Sequence, residues 1–153
     1  RTKIRHLRHK SRLFRPIIRV YARMRDGSDK ESSMNIMVVD DSLAMRLIVM
    51  KTLREAGYDG HDMVQAEDGA KALEAIKSSE PDLILCDWNM PNMTGPELLQ
   101  ALNDEGMNIK FGFITTEATA EMKDKAMEMG ARFLIAKPFT PDSFREVLDP
   151  FIS

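Results

Sequence analysis

The sequence predicts an α/β fold, a doubly wound five-stranded parallel sheet held between layers of helices. Three observations predict it. From Met34 onward, short apolar runs alternate five times with segments of helical spacing. The runs are apolar throughout instead of alternating in polarity, as strands covered on both faces require. The connections are short, and with right-handed crossovers five such β-α units form a three-layer sandwich.

Each element has its own signal. "NIMVVD" (35–40) is an apolar run ending in acid and reads as a buried strand. "SLAMRLIVMKTLREAG" (42–57) has helical spacing, with Ser42 as N-cap and Gly57 as the stop. "HDMVQAE" (61–67) is a short strand and "GAKALEAIKSS" (69–79) a helix. "DLILCDW" (82–88) is a strand, and "GPELLQALND" (95–104) a helix with Pro96 in its first turn, where the missing N–H costs nothing. "KFGFIT" (110–115) is a strand, and "ATAEMKDKAMEMG" (118–130) a helix closed by Gly130. "RFLIAK" (132–137) is the last strand, and "TPDSFREVLDPFI" (140–152) a helix capped by Thr140 with Pro141 at its first position.

The 153 residues suffice for one domain with a real core. No apolar run approaches the ~20 residues of a membrane span, so none is expected. A single cysteine, Cys86, excludes an internal disulfide and a multi-cysteine metal site. It lies in an apolar run and reads as a buried, inert thiol, compatible with a reducing compartment.

Charge divides the chain. Residues 1–33 hold 11 Lys and Arg against 3 Asp and Glu, a net of +8; residues 34–153 hold 11 against 21, a net of −10. Residues 1–33 are therefore read as a basic N-terminal extension, and 34–153 as the functional domain. Anion or membrane-surface binding, targeting and a flexible basic arm are all open for the extension. So is a non-native leader, which the absence of Met at position 1 and "SDKESS" before Met34 favour.

In a doubly wound sheet the functional crevice lies at the carboxyl ends of the strands. The first strand ends in Asp40 and Asp41, the third in Asp87, the fourth in Thr115 and the fifth in Lys137. Clustered carboxylates repel unless a cation joins them. A few hard oxygen ligands suit Mg²⁺, and Lys137 suits phosphate. The chemistry indicated is phosphoryl handling at an acidic metal site, with Asp87 the nucleophile candidate and Thr115 a hydrogen-bonding partner. Any one of these residues alone is a turn, cap or solvated residue; their matching positions make the case. No G-x-x-x-x-G-K-[ST] or G-x-G-x-x-G motif is present, and His61, the only histidine after residue 33, reads as a surface residue at the start of a strand. A haloacid-dehalogenase-type Mg²⁺-dependent phosphatase is the competing reading. Its D-x-D-x-T pattern meets "VVDDSLA" here.

The segments "MVVDDS", "AEDGAKAL", "LILCDWNMPNMTGPELL", "FITTEA" and "AKPFT" together resemble the receiver domain of two-component response regulators. The likeness runs from Met34 to the C-terminus and is strongest to stand-alone chemotaxis regulators. It implies a flavodoxin-like (βα)₅ fold and a phosphoryl group accepted by Asp87 from a phosphohistidine of a histidine kinase. It implies Mg²⁺ held by Asp41, Asp87 and the backbone carbonyl of Asn89, with Asp40 acting through water. Thr115 and Lys137 would contact the phosphoryl group, Asn89, Thr116 and Glu117 would flank it, and the Lys137–Pro138 bond would be cis. The implied protein is not a conventional enzyme but a cytoplasmic, monomeric phospho-switch that promotes its own Mg²⁺-dependent phosphorylation and dephosphorylation. With the chain ending after the helix at 140–152, a partner such as a flagellar motor switch component would read the signal, and no nucleic acid is expected. A phosphate-sink relay is a further alternative.

The sequence departs from that family in places. Leu134 stands where receivers usually carry an aromatic residue, and Phe133 beside it is expected on the opposite face of the strand. Thr116 is bulkier than the small residue often found there, and Thr94 replaces a common Asp. Met122, Met127 and Met129 on the fourth helix read as core packing plus ordinary surface, or as an adaptable docking face.

Overall fold

The computed structural model describes residues 33–152. The basic extension thus falls outside the described residues except for Ser33. Met34–Ser153 forms one compact unit.

Five strands and five helices alternate as expected. They are β1 (Asn35–Val39), α1 (Leu43–Leu53), β2 (Asp62–Ala66), α2 (Gly69–Ser78), β3 (Leu83–Asp87), α3 (Gly95–Asp104), β4 (Lys110–Thr115), α4 (Ala120–Glu128), β5 (Phe133–Ala136) and α5 (Pro141–Leu148). The strands form one sheet in the order β2-β1-β3-β4-β5. All pairings are parallel. The chain therefore reverses its winding direction between β1 and β3, which is where a crevice opens at the carboxyl edge.

Strand side chains divide between two cores because successive residues point to opposite faces. Met37, Val39, Ile84, Cys86, Phe111 and Phe113 pack toward α2, α3 and α4. Ile36, Val38, Leu83, Leu85, Ile114 and Ile135 pack toward α1 and α5. Each fully buried Leu or Ile contributes about 2 kcal/mol of apolar burial. The two-sided burial accounts for the unbroken apolar runs of the inner strands.

β2 corrects one expectation. It is an edge strand, and Asp62, Val64 and Gln65 are exposed, so the reading of every strand as apolar and covered on both faces fails there. An edge strand has one paired side only, and polar residues on it discourage pairing with another chain.

Capping explains where the helices begin. Ser42, Asp68, Thr94, Thr119 and Thr140 each accept a hydrogen bond from a first-turn N–H. At Thr94 the bond is reciprocal, because the Glu97 side chain accepts from the Thr94 N–H. The α-helical part of α1 ends at Leu53, earlier than the sequence spacing suggests. The chain continues in a wider turn, Arg54–Tyr58, in which Gly57 takes φ 101°. A Tyr58–Asp149 hydrogen bond joins this turn to the end of α5. Burial, followed by that bond, pushes the Tyr58 phenol up.

His61 is not merely a surface residue. It is half-buried, and its Nδ1 accepts the Met34 N–H at 2.9 Å, which satisfies a donor just before β1.

Candidate functional site

The carboxyl edge of the sheet collects the charged groups. β1 ends one residue before Asp40, which is buried. All four of its polar groups are engaged. The Asp40 N–H donates to the Ala66 carbonyl at 3.2 Å, which extends the β1–β2 ladder. Its own carbonyl accepts from Arg46 Nη1 at 2.7 Å. Oδ1 accepts the Ser42 N–H at 2.9 Å, and Oδ2 accepts from Lys137 Nζ at 3.3 Å. Asp41 next to it is exposed.

Asp87 closes β3 and is half-buried. Its Oδ1 accepts the Trp88 N–H at 2.8 Å and Lys137 Nζ at 3.4 Å. Burial, and then the charge of Asp40, raise the Asp87 carboxyl above its usual range; Lys137 and the Trp88 N–H oppose that rise. The Lys137 ammonium therefore bridges two carboxylates, with its own side chain only 13% exposed.

Asp40, Asp41 and Asp87 can each offer one oxygen to a common point, the three oxygens lying within 4.8 Å of one another. Three hard donors, one on an exposed side chain that leaves room for water, fit Mg²⁺. The same crowding is unfavourable without a cation, and one lysine supplies only one positive charge against three negatives.

Thr115 ends β4 and is 1% exposed. Its hydroxyl accepts the Glu117 N–H at 3.2 Å, and its carbonyl accepts the Lys137 N–H at 2.8 Å, tying the ends of β4 and β5 together. The Lys137–Pro138 bond is cis, as expected. Asn89, Thr116 and Glu117 lie exposed on the loops after β3 and β4. Phe133 packs with the α1–α5 core and Leu134 with the opposite one, as the alternation predicts. Cys86 is buried, and burial pushes its thiol well up, consistent with an inert role. Met129, which caps the end of α4, packs against the core, and Met127 within the helix is exposed.

Sequence reasoning missed two residues near the site. Asp68 caps α2 through the Lys71 N–H, and its other oxygen accepts from Asn92 Nδ2 at 3.2 Å. These bonds, the Lys71 N–H foremost, hold its carboxyl low. Asn92 itself has φ 66°, a left-handed turn that asparagine tolerates. The loop after Asp87 is thereby fastened to the start of α2. An Asp just before a helical run is a cap signal that could have found Asp68. Arg46 has no comparable signal, since one arginine on an amphipathic helix normally faces solvent.

A parallel sheet of this order, with two acids after β1, one after β3, a threonine after β4 and a lysine before a cis proline after β5, defines a class. The chain belongs to the response regulator receiver domain family, whose pattern matches residues 36–149. It is similar to chemotaxis protein CheY-3 of Vibrio cholerae serotype O1, at 37% identity over 119 residues that span 76% of this chain and 90% of that protein. Its identity to chemotaxis protein CheY1 of Helicobacter pylori is 35%, also over 119 residues, spanning 76% and 94%. Among solved structures, chemotaxis response regulator CheY4 of Vibrio cholerae superposes with a TM-score of 0.69 at 31% identity, covering 78% of this chain and 98% of that one. Among the described residues no helix is long and apolar enough to cross a membrane.

Proposed function

We propose that this receiver domain is a cytoplasmic phospho-switch that takes a phosphoryl group on Asp87 from a phosphohistidine of a sensor kinase, in a chemotaxis or motility pathway. The observation that carries the reading is the meeting of Asp87 with Asp40, Asp41 and Lys137 at the switch point of the sheet. The pathway rests on the likeness to chemotaxis proteins.

An Asp87 carboxylate oxygen attacks phosphorus in line. The new O–P bond forms as the donor's P–N bond breaks, and the electron pair returns to the imidazole. Asp40, Asp41 and Asp87, with the Asn89 carbonyl, would hold Mg²⁺, which when bound neutralises charge on the phosphoryl oxygens. Lys137 exchanges its contact with Asp87 for one with a phosphoryl oxygen. The Thr115 hydroxyl, which accepts the Glu117 N–H in this structure, turns to donate to another oxygen and so draws the loop that leads into α4 toward the phosphoryl group. Asn89, Thr116 and Glu117 border the group and control water access to it. Added charge at the crevice shifts the balance between conformations of the output face, which a partner protein such as a motor switch component reads. With Leu134 in the aromatic position, Thr115 carries that coupling without an aromatic partner. Residues 1–33 are dispensable for this chemistry.

Incubation with acetyl phosphate and Mg²⁺ tests the proposal. One acid-stable, base-labile acyl phosphate per chain is expected, absent in Asp87→Asn and retained when residues 1–33 are deleted. Steady hydrolysis of many phosphomonoesters with no adduct would support a phosphatase instead.

A further inference from the structure

We propose that Arg46 is a positioning residue for the acidic pocket, holding the β1–α1 turn in the shape that lets Asp40 and Asp41 serve a cation together. The inference rests on the receiver reading for its purpose, but on geometry for its content. β1 stops pairing with β3 at Val39, so the Asp40 carbonyl leaves the ladder just where two acids follow one another. A buried carbonyl without a donor is costly. Arg46, in the first turn of α1, supplies the donor: Nη1 reaches the Asp40 carbonyl at 2.7 Å. The same guanidinium is braced from the other side, where Nε donates to Gln65 Oε1 on β2 at 3.0 Å.

Those two bonds make a fork across three elements. The guanidinium is planar, so fixing Nε on Gln65 also fixes the direction in which Nη1 points. The Asp40 backbone is then held from both sides, by Ala66 through its N–H and by Arg46 through its carbonyl. Its carboxylate is held by Ser42 and Lys137. With Asp40 immobile, the direction of Asp41 is set by the backbone that follows it. Lysine cannot replace this arrangement, because an ammonium carries no second, rigidly placed donor.

The charge of Arg46 and its geometry predict opposite outcomes, which makes the test decisive. As a cation near an acidic pocket, Arg46 should weaken Mg²⁺ binding, and removing it should tighten binding. As a positioning residue it should strengthen binding. MgCl₂ is titrated by calorimetry into the full chain, with the fluorescence of Trp88, the single tryptophan, as a second probe. Arg46→Gln and Arg46→Lys are both expected to bind Mg²⁺ roughly tenfold more weakly, the scale usual for residues that orient metal ligands. Saturating Mg²⁺ should return acyl phosphate formation toward the wild-type rate, since Asp87 and Lys137 are untouched. Unchanged or tighter binding in Arg46→Gln overturns the inference, as does wild-type binding in Arg46→Lys. Should the Arg46 variants not fold, Gln65→Ala removes only the brace and is expected to weaken binding less but in the same direction; no change overturns the inference. A wild-type chain that forms no acyl phosphate, yet shows this Arg46 dependence in the titration, would defeat the receiver reading alone.

Discussion

One aspartate stands just before β3 and another closes it, and the two do opposite things. Asp82 and Asp87 are both half-buried and stand five residues apart, separated by four fully buried side chains. At the amino end, Asp82 Oδ2 accepts the Asn35 N–H at 2.8 Å, while its own N–H donates to the Asn35 carbonyl at 2.8 Å. It clips the start of β1 to the start of β3. At the carboxyl end, Asp87 faces the acid of Asp40 and shares one lysine with it. One aspartate satisfies the backbone. The other is set among like charges, at a cost the apo fold carries. The lesson is that a strand-end aspartate is classified by the charges around it and not by its burial or its residue type.

The largest effect that can break the comparison is on phosphorylation. Asp87→Asn is expected to abolish the acyl phosphate entirely, whereas Asp82→Asn should leave its yield unchanged; radiolabelled acetyl phosphate measures both. Substantial residual label in Asp87→Asn would place the acceptor elsewhere.

Lys137 comes next. It is the cation that offsets Asp40 and Asp87, and it is largely buried with both. Lys137→Met leaves two shielded carboxylates uncompensated and should lower apo stability by on the order of 3 kcal/mol, read by urea unfolding in EDTA. The same change should tighten Mg²⁺ binding, since a competing cation is gone. Weaker Mg²⁺ binding would mean that Lys137 shapes the pocket more than it competes for it.

Much of this edge is legible in the sequence, for a physical reason. Asp40, Asp87, Thr115 and Lys137 each end or closely follow an apolar run, and parallel topology carries the ends of such runs to one side. Local patterning therefore implied a non-local cluster. The same patterning located β2 but misjudged its surroundings, because an edge strand is buried on fewer sides and its "DMVQA" lacks the apolar signature of its neighbours. It gave no signal for Arg46, whose contact with Gln65 depends on how α1 lies against the sheet. Gly112 shows a third kind of failure. A Cβ there would come within 2.0 Å of the Phe133 ring, which lies over the glycine on the neighbouring strand. A glycine inside a strand signals close approach in general but does not name the partner.

At the amino end of β3 the expected effect is smaller. Asp82→Ala removes the acceptor for the Asn35 N–H and should cost about 1 kcal/mol in urea unfolding, with Mg²⁺ affinity unchanged. A change in Mg²⁺ affinity would show that the two ends of β3 communicate through the strand, and the comparison would lose its force.

The finest discrimination lies in pH. Burial, and then Asp40, place the carboxyl of Asp87 above the usual carboxylate range in the folded chain. In the unfolded chain that carboxyl titrates in the usual range. Between the two values the folded state holds a proton that the unfolded state has released. Stability must therefore fall as pH rises through that window, and the loss persists at neutral pH. Asp87→Asn removes the titrating group, so in EDTA it should be more stable than the wild type near neutral pH. That advantage should shrink once the pH drops below the usual carboxylate range, where Asp87 is protonated in both states. Saturating Mg²⁺ should reverse the order, because a ligand that binds the folded wild type stabilises it by mass action. Paired urea titrations across pH, with EDTA and with Mg²⁺, measure this directly. If the variant in EDTA is no more stable than the wild type at neutral pH, the pocket is not electrostatically frustrated, and Lys137 alone balances its charge.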